Sequence, residues 1–372
     1  NYSQPPPTRT SMSLTLYRKY RPKTFAEVEG QTHIVRTLQG ALSSGRIGHA
    51  YLFCGPRGTG KTTLARLFAK ALNCEKRGQQ AEPCNQCSVC IEINTGRSLD
   101  LIEIDAASNR GIDEIRNLRD SARVAAASST YKIFIIDELH MLTPPAFNAL
   151  LKTLEEPPGH IIFILATTEP HKVLETILSR VQRFDFKKIT PEQIEKKLLR
   201  VAKAEGVNIE LEAISALASV SGGSLRDAES SLAKLIAFAG NKISTADTAE
   251  ILGIVSLQTH EQLLSEIIGN QNQEAIKLIS QVFEAGVDMD NFTKQFIAYV
   301  RTKLLNSINS NTPLATAAAT DSGRNESDKL VRILNTFINA RAELKHSPIP
   351  QLPLELAILE LTNGQLGKSS PN

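Results

Sequence analysis

The sequence predicts an α/β core built on a parallel sheet, with an all-helical remainder behind it. Three observations lead there. Apolar, strand-like runs alternate with helical periodicity up to about residue 187, the pattern of a sheet covered by helices. One run, Tyr51-Leu52-Phe53, feeds Gly55-Pro56-Arg57-Gly58-Thr59-Gly60-Lys61-Thr62, which fits the Gly, four residues, Gly-Lys-Thr pattern of a phosphate-binding loop. Past Thr190 the strand signals stop and only helical ones continue.

In chain order, residues 1–13 (NYSQPPPTRTSMS) are polar and Pro-rich and read as a disordered tail. Tyr17 to Phe25 (YRKYRPKTF) is basic and aromatic. It suits nucleic acid, but a segment packed beside a nucleotide base is the preferred reading. Glu27 to Ile47 carries helical periodicity and leads into the first strand. The loop after that strand has a physical reason at each position. Its glycines let backbone N–H groups face a phosphate chain. After Thr63, the last candidate of the loop, the helix-forming stretch Leu64 to Leu72 aims its positive dipole end at the same anion. Lys61 reaches β- and γ-phosphates, and the Thr62 hydroxyl is a magnesium ligand.

Cys74, Cys84, Cys87 and Cys90 follow, four of the five cysteines in the chain. Four thiolates at this spacing point to tetrahedral zinc, and four protein ligands make a structural rather than a catalytic metal. Cys54, at the end of the loop strand, reads as a small buried hydrophobe.

Leu99 to Asp105 reads as the second strand, and Ser108 to Val124 as an amphipathic helix with Ile112, Ile115, Leu118 and Ala122 on its apolar side. Arg110, Arg116, Arg119 and Arg123 lie off that side. They either track a phosphate backbone or form a solvated face in which Asp113 pairs with Arg116 and Asp120 with Arg123. Residues alone leave both open.

Tyr131 to Asp137 is a nearly continuous apolar strand, as a sheet buried on both faces requires. It ends in Asp137-Glu138. Beside a phosphate loop, Asp137 suits a magnesium ion and Glu138 suits the attacking water. His140 is assigned no chemistry. Thr143-Pro144 opens a helix with Phe147, Leu150, Leu151 and Leu154 on its buried face. Ile161 to Ala166 is a further buried strand, and a hydroxyl at Thr167-Thr168 can bond the water or the γ-phosphate. A short helix over Leu174 to Arg180 and a strand over Arg183 to Phe186 complete the core. Ligands of such sheets sit at the carboxyl ends of the strands, where Gly55, Asp137 and Thr168 all fall.

Thr190-Pro191-Glu192-Gln193 is a capping box that opens the helical region. Gly222-Gly223-Ser224 makes a turn and cap, and Arg226 follows in the first turn of the next helix. A cation there opposes the helix dipole, so Arg226 is either a meeting point for an anion or an ordinary surface residue. Ser307 to Ser327 reads as a long loop between helices.

Composition sets the outer bounds. At ~150 residues per domain, 372 residues suggest two or three domains. No run of ~18 apolar residues is present, and nothing resembles a signal peptide, so the cytoplasm is expected and no membrane partner. The net charge of +3 does not demand nucleic acid, and the absence of Trp argues against a base-stacking platform. The chain starts at Asn1 rather than Met, which admits a fragment.

Taken together, these residues resemble one family. Tyr20-Arg21-Pro22 with Thr24-Phe25, His49 to Phe53, Gly55 to Thr62, the four-cysteine insert, Ile104 to Ser108, Asp137-Glu138, Phe147 to Pro158, Ala166-Thr167-Thr168 and Ser179-Arg180 occur in order. The pattern is similar to the gamma/tau subunits of bacterial DNA polymerase III clamp loaders, within the ATPases associated with diverse activities. It is dense over about Leu16 to Ala239 and only general beyond. The resemblance implies an ATPase core at 14–188 with a zinc insert at 74–90, a helical lid at 189–254, a helical collar for oligomerisation at 255–365 and a tail at 366–372. It implies ATP bound between core and lid, Thr168 and Arg226 as the sensor residues of core and lid, and Arg180 as an arginine finger completing a neighbouring subunit's site. The family commonly reads Ser-Arg-Cys where this chain has Ser179-Arg180-Val181. Implied partners are other loader subunits in a hetero-oligomeric ring, the sliding clamp, and primer–template DNA held through its phosphates, with Arg110, Arg116 and Arg119 as candidates for that grip. ATP binding would open the clamp and hydrolysis would release it on DNA. Classification as a DNA-directed DNA polymerase would come only through the holoenzyme. Two rivals are an ATPase-inactive assembly subunit, against which the intact Lys61, Thr62, Asp137 and Glu138 argue, and a small-molecule kinase.

Overall fold

The structure is a computed structural model that describes residues 15–310 and 320–363. Residues through Ser244 form one compact unit and residues from Thr245 a second. The sequence reading put its break ten residues later, at the 254/255 boundary.

The first unit is organised on five parallel strands: β1 (Ala50–Cys54), β2 (Leu101–Asp105), β3 (Lys132–Asp137), β4 (Ile161–Thr167) and β5 (Gln182–Asp185), in the order β2-β3-β4-β1-β5. Every residue of β1 and β4 is buried, whereas β2 and β5, at the edges, are half-buried or exposed. That contrast explains the reach of each sequence signal. Central strands are apolar throughout because helices cover both faces; edge strands keep charged residues. Register places Cys54 beside Thr167 and Asp105 beside Asp137. The ends of β1, β2, β3 and β4 therefore form one rim.

One face of the sheet packs Tyr51, Phe53, Ile133, Ile135 and Ile164 against Leu64 and Phe68. The other packs Leu52, Phe134, Ile136, Phe163 and Leu165 against Ile115, Leu118, Phe147 and Leu150. Each such side chain contributes about 1.5–3 kcal/mol on burial. The helices of this part are α1 (Leu16–Lys19), which packs on the later helix over 225–239, α2 (Thr32–Ser44), α3 (Lys61–Asn73), α4 (Ser88–Thr95), which packs on α3, α5 (Ile112–Ala122), α6 (Pro144–Glu155) and α7 (Glu175–Leu178). Helix α5 starts later than Ser108 because Asp105 turns the chain first. Its carboxylate accepts from the Ala107 N–H and the Ser108 hydroxyl, and its carbonyl accepts from the Ser108 and Asn109 N–H groups. Thr143 occupies the N-cap position of α6 with Pro next, but its side chain makes no cap bond.

Helices α8 (Pro191–Ala204), α9 (Leu211–Val220) and α10 (Leu225–Ala239) follow in the same unit. The capping box at Thr190 and Gln193 forms with both bonds, and the Ser224 hydroxyl accepts from the Asp227 N–H. A two-residue parallel ladder, β6 (Asn208–Ile209) with β7 (Lys242–Ile243), joins segments read as helical throughout. Pairs this short carry no periodicity to detect.

The second unit is helical: α11 (Thr245–Leu252), α12 (Leu257–Ile268), α13 (Asn272–Glu284), α14 (Met289–Ser310), α15 (Thr320–Leu344) and α16 (Leu352–Asn363). Its core contains Leu263, Ile279, Phe292, Phe296, Phe337 and Ile358. The stretch from Ser307 to Ser327, expected as a loop, is helical at both of its ends. Helix α14 runs through Ser310 and α15 begins at Thr320; residues 311–319 lie outside the described residues. Helices α14 and α15 pack on each other, with Phe296 and Phe337 at 4.7 Å between ring centres. The expected tails at 1–13 and 366–372 also lie outside the described residues. Among the described residues no helix is long and apolar enough to cross a membrane.

Candidate nucleotide site

The rim of the sheet opens into a cavity of about 1070 Å³, lined by the phosphate loop, by Asp137 and Glu138, by the segment around Tyr17 to Glu29, and by Lys197, Arg226 and Glu229. The loop leaves β1 at Gly55, whose N–H donates to the Thr167 carbonyl of β4 at 3.2 Å. Two glycines are required by geometry. Gly55 has φ +148°, and a Cβ there would come 2.6 Å from the Phe186 carbonyl oxygen. Gly58 has φ +75°, and a Cβ would collide with the Ser224 hydroxyl at the start of α10. The Leu225 N–H also donates to the Gly58 carbonyl at 3.1 Å. The loop is thus braced by the sheet on one side and by α10 on the other.

Lys61 is buried, and its ammonium donates to the carbonyls of Gly55 (2.8 Å) and Pro56 (2.9 Å). Burial lowers its pKa, opposed by the charges of Glu138 and Asp137. The Thr62 hydroxyl donates to Asp137 Oδ2 at 2.6 Å. Thr59 donates to the Pro56 carbonyl, which shapes the loop's interior. Glu138 sits in the left-handed region at φ +48°, unusual for a residue with a side chain. Its N–H donates to Asp137 Oδ1 at 2.9 Å, and its carboxylate accepts from the Thr168 hydroxyl at 3.0 Å. The turn swings Glu138 away from Asp137 and towards β4. Two neighbouring acids therefore acquire different partners, Thr62 for one and Thr168 for the other.

His140 belongs to this network, although no pattern in the chain pointed to it. Its side chain is 6% exposed, with Nδ1 3.1 Å from the Thr167 hydroxyl and 3.5 Å from Glu138, and Nε2 3.3 Å from Glu169. Lys172, beside Glu169, holds that carboxyl below its usual range. His140 buttresses the Glu138 turn rather than facing the loop.

Arg226, in the first turn of α10, lines the cavity and stacks its guanidinium over the Tyr17 ring at 4.9 Å. Arg180 does not line it. That residue donates to the Thr176 carbonyl, the Ser179 hydroxyl and Glu155. Of the α5 arginines, Arg116 pairs with Asp113, as in the solvated-face alternative, but Asp120 pairs with Arg119 rather than with Arg123. Arg110 donates to the Ala107 carbonyl and is exposed.

A buried residue of the cavity, Glu229, and its half-buried neighbour Lys197 had no signal in the sequence. Glu229 of α10 is 5% exposed, and burial pushes its carboxyl up to about 7, with Lys197 3.9 Å away drawing it down. One carboxylate oxygen of Glu229 lacks a hydrogen bond, while Lys197 donates to the Tyr20 carbonyl at 3.0 Å. Lone polar residues in amphipathic helices resemble surface ones until the fold buries them, so the sequence held no signal.

The four cysteines of the insert converge, with their sulfur atoms all within 4.8 Å of one another. Zinc–sulfur bonds of about 2.3 Å place tetrahedral sulfurs about 3.8 Å apart, and Cys84 and Cys90 are separated by 3.9 Å. Backbone N–H groups point at the sulfurs: Cys84 to Cys74 Sγ, and Gln86 and Cys87 to Cys84 Sγ. The last two lower the Cys84 thiol to about 6, as suits a thiolate ligand. Donor set and spacing fit a tetrahedral metal. Cys54 is buried apart from them, its thiol pushed up to about 11 by desolvation.

Comparison with known proteins decides the family. Residues 30–190 match the family model described as DNA polymerase III, delta subunit; residues 193–241 match the DNA polymerase III clamp loader subunit ATPase lid domain; residues 243–368 match domain III of the gamma and tau subunits. The chain is 34% identical over 356 residues to DNA polymerase III subunit gamma of Buchnera aphidicola subsp. Acyrthosiphon pisum, spanning 93% of this chain and 98% of that one. The chain belongs to the gamma/tau family of DNA polymerase III subunits. Another gamma/tau relative, subunit gamma of Buchnera aphidicola subsp. Schizaphis graminum, is 40% identical over 286 residues, 77% of this chain and 78% of that one. Subunit tau of Bacillus subtilis is 48% identical over 290 residues, 78% of this chain but 51% of that one. The chain thus spans about half the length of the tau relatives it matches. The lid and domain III matches of this gamma/tau chain meet near Ser244, where the two compact units divide.

Proposed function

We propose that this chain is the ATP-driven motor subunit of a clamp loader, binding and hydrolysing ATP in the cavity between the phosphate loop and α10. The observation that carries the reading is the divergence of the two rim acids. Thr62 with Asp137 forms a hydroxyl–carboxylate pair suited to magnesium, Thr62 directly and Asp137 through water. Glu138, turned towards Thr168, is a base or orienting group for water. The loop from Gly55 to Thr63 would wrap the phosphates, and Lys61 would exchange its loop carbonyls for β- and γ-oxygens. Arg226 would meet the phosphates from the lid.

Arg180 supports a shared site. It lies outside its own cavity, beside Glu155, where a neighbouring subunit's γ-phosphate could be approached. A cation supplied in trans stabilises charge developing on that phosphate. The cysteine insert would hold structural zinc, which supplies local folding energy and no chemistry at the nucleotide. The second unit would serve as the collar of a hetero-oligomeric ring, with residues 14–188 and 189–254 as core and lid. Within such a ring the motor would open a sliding clamp and place it on primer–template DNA. Exposed Arg110 and Arg116, with Arg119, would grip phosphates independently of sequence. Nucleotidyl transfer would belong to the holoenzyme and not to this chain.

The test is steady-state ATP hydrolysis with partner subunits, clamp and primed DNA. Lys61→Ala should abolish this chain's turnover and its ATP-dependent capture of the clamp. Equal rates in variant and parent would leave only the assembly reading.

A further inference from the structure

The segment from Tyr17 to Glu29 forms one wall of the nucleotide cavity and is held from two sides, its ends by α8 and its middle by the cysteine insert. On the α8–α10 side, Lys19 pairs with Glu205 at 2.7 Å, Glu29 pairs with Arg200, and Lys197 donates to the Tyr20 carbonyl. On the other side the ties come from the cysteine insert. Both oxygens of Glu82 accept backbone N–H groups, from Phe25 at 2.8 Å and Ala26 at 3.0 Å. These are the first two amides of a 3-10 turn over Phe25–Glu27, whose own N-cap residue, Thr24, makes no side-chain bond. Glu82 therefore caps that turn from 56 residues away in sequence. Asn85, between Cys84 and Cys87 and at φ +58°, donates to the Lys23 carbonyl at 3.2 Å. Lys70 of α3 is 2% exposed and donates to that same carbonyl (2.9 Å), to Asn85 (2.6 Å) and to Asn94 (2.9 Å).

We propose that the cysteine insert, when it holds its metal, anchors residues 23–27 as the middle of a strap along the nucleotide cavity and so sets nucleotide affinity. The inference rests on the nucleotide-site reading above. Its physical content is pre-organisation. Cys74 and Cys84 bracket Glu82, and Cys84 and Cys87 bracket Asn85, so tetrahedral ligation fixes both residues where the strap needs them. A wall already held in place does not have to be ordered when nucleotide enters. Glu82, Asn85 and Lys70 are positioning residues here. No reacting atom is asked of them.

The experiment uses the full zinc-loaded chain, ATP carrying a fluorescent ribose ester, and magnesium. Glu82→Ala should bind the nucleotide about tenfold more weakly, the scale of losing hydrogen bonds to a charged acceptor. Amides 23–29 should exchange hydrogen faster in that variant, with zinc content by mass spectrometry unchanged. Chelation of the parent should reproduce the weakening and the faster exchange. Parental affinity in Glu82→Ala, weakened affinity with unchanged exchange at 23–29, or loss of zinc from the variant would each overturn the strap. Chelation that alters neither readout would overturn the insert's part in it. Lys61→Ala is the control: if the parent binds no more tightly than that variant, the nucleotide site itself is refuted, and the strap with it.

Discussion

Replacing Glu229 with Gln should stabilise the first unit, and the gain should depend on pH. The carboxyl is buried in the cavity wall, desolvation raises it from 4.5 to about 7, and Lys197 at 3.9 Å only partly compensates. Between those two values the folded chain keeps the proton that the unfolded chain releases. The folded state then binds more protons, so stability falls as pH rises through this window and levels off above about 7. The gap corresponds to a penalty of about 3 kcal/mol at pH 8 and to nothing below pH 4.5. Gln keeps the shape and removes the charge. At ~2–4 °C per kcal/mol for a unit of this size, the variant should melt up to roughly 6–12 °C above the parent at pH 8. The difference should shrink steadily towards pH 5. The assay is thermal unfolding of parent and variant, side by side in half-unit steps from pH 5 to 8.5. A difference constant across that range would refute the reasoning, because only titration of Glu229 makes it vary. A stabilising replacement inside a ligand cavity would also mark Glu229 as a residue whose burial the fold tolerates at a cost.

Three further outcomes are expected. Glu138→Gln should retain ATP binding, measured by fluorescent-nucleotide titration, while turnover falls by about 10²–10⁴, the usual contribution of a general base. Arg180→Ala should leave nucleotide affinity unchanged in the isolated chain and lower turnover of the assembled complex by about 10³ or more; full turnover there would favour a self-contained kinase-like site. Asp100→Ala should cost about 3 kcal/mol or more in denaturant unfolding, because the buried carboxylate accepts from the N–H groups of Ala127, Ser128 and Ser129. Burial pushes the Asp100 carboxyl up, yet those donors together outweigh it and hold it below the usual range.

The sequence by itself determined the features that local physics writes in short windows. The apolar runs of β1, β3 and β4 were legible because both faces of those strands are buried. The phosphate loop was legible because tight backbone turns demand glycine, and the insert because four cysteines repeat at ligand spacing. The capping box at Thr190 was visible for the same reason, since its two partners lie three residues apart. Tertiary structure alone decided which rim residues pair. Parallel register puts Thr168 within reach of Glu138 and α3 puts Thr62 against Asp137, contacts separated by 30 and 75 residues. It alone buried Glu229 beside Lys197, drew His140 beneath the Glu138 turn, and brought Glu82 to the amides of Phe25 and Ala26. Each of these depends on distances across the fold, and a side chain's type at one position carries no record of what the folded chain will set beside it. The parallel sheet and its phosphate loop could be read in order, but the wall that closes the cavity could only be seen assembled.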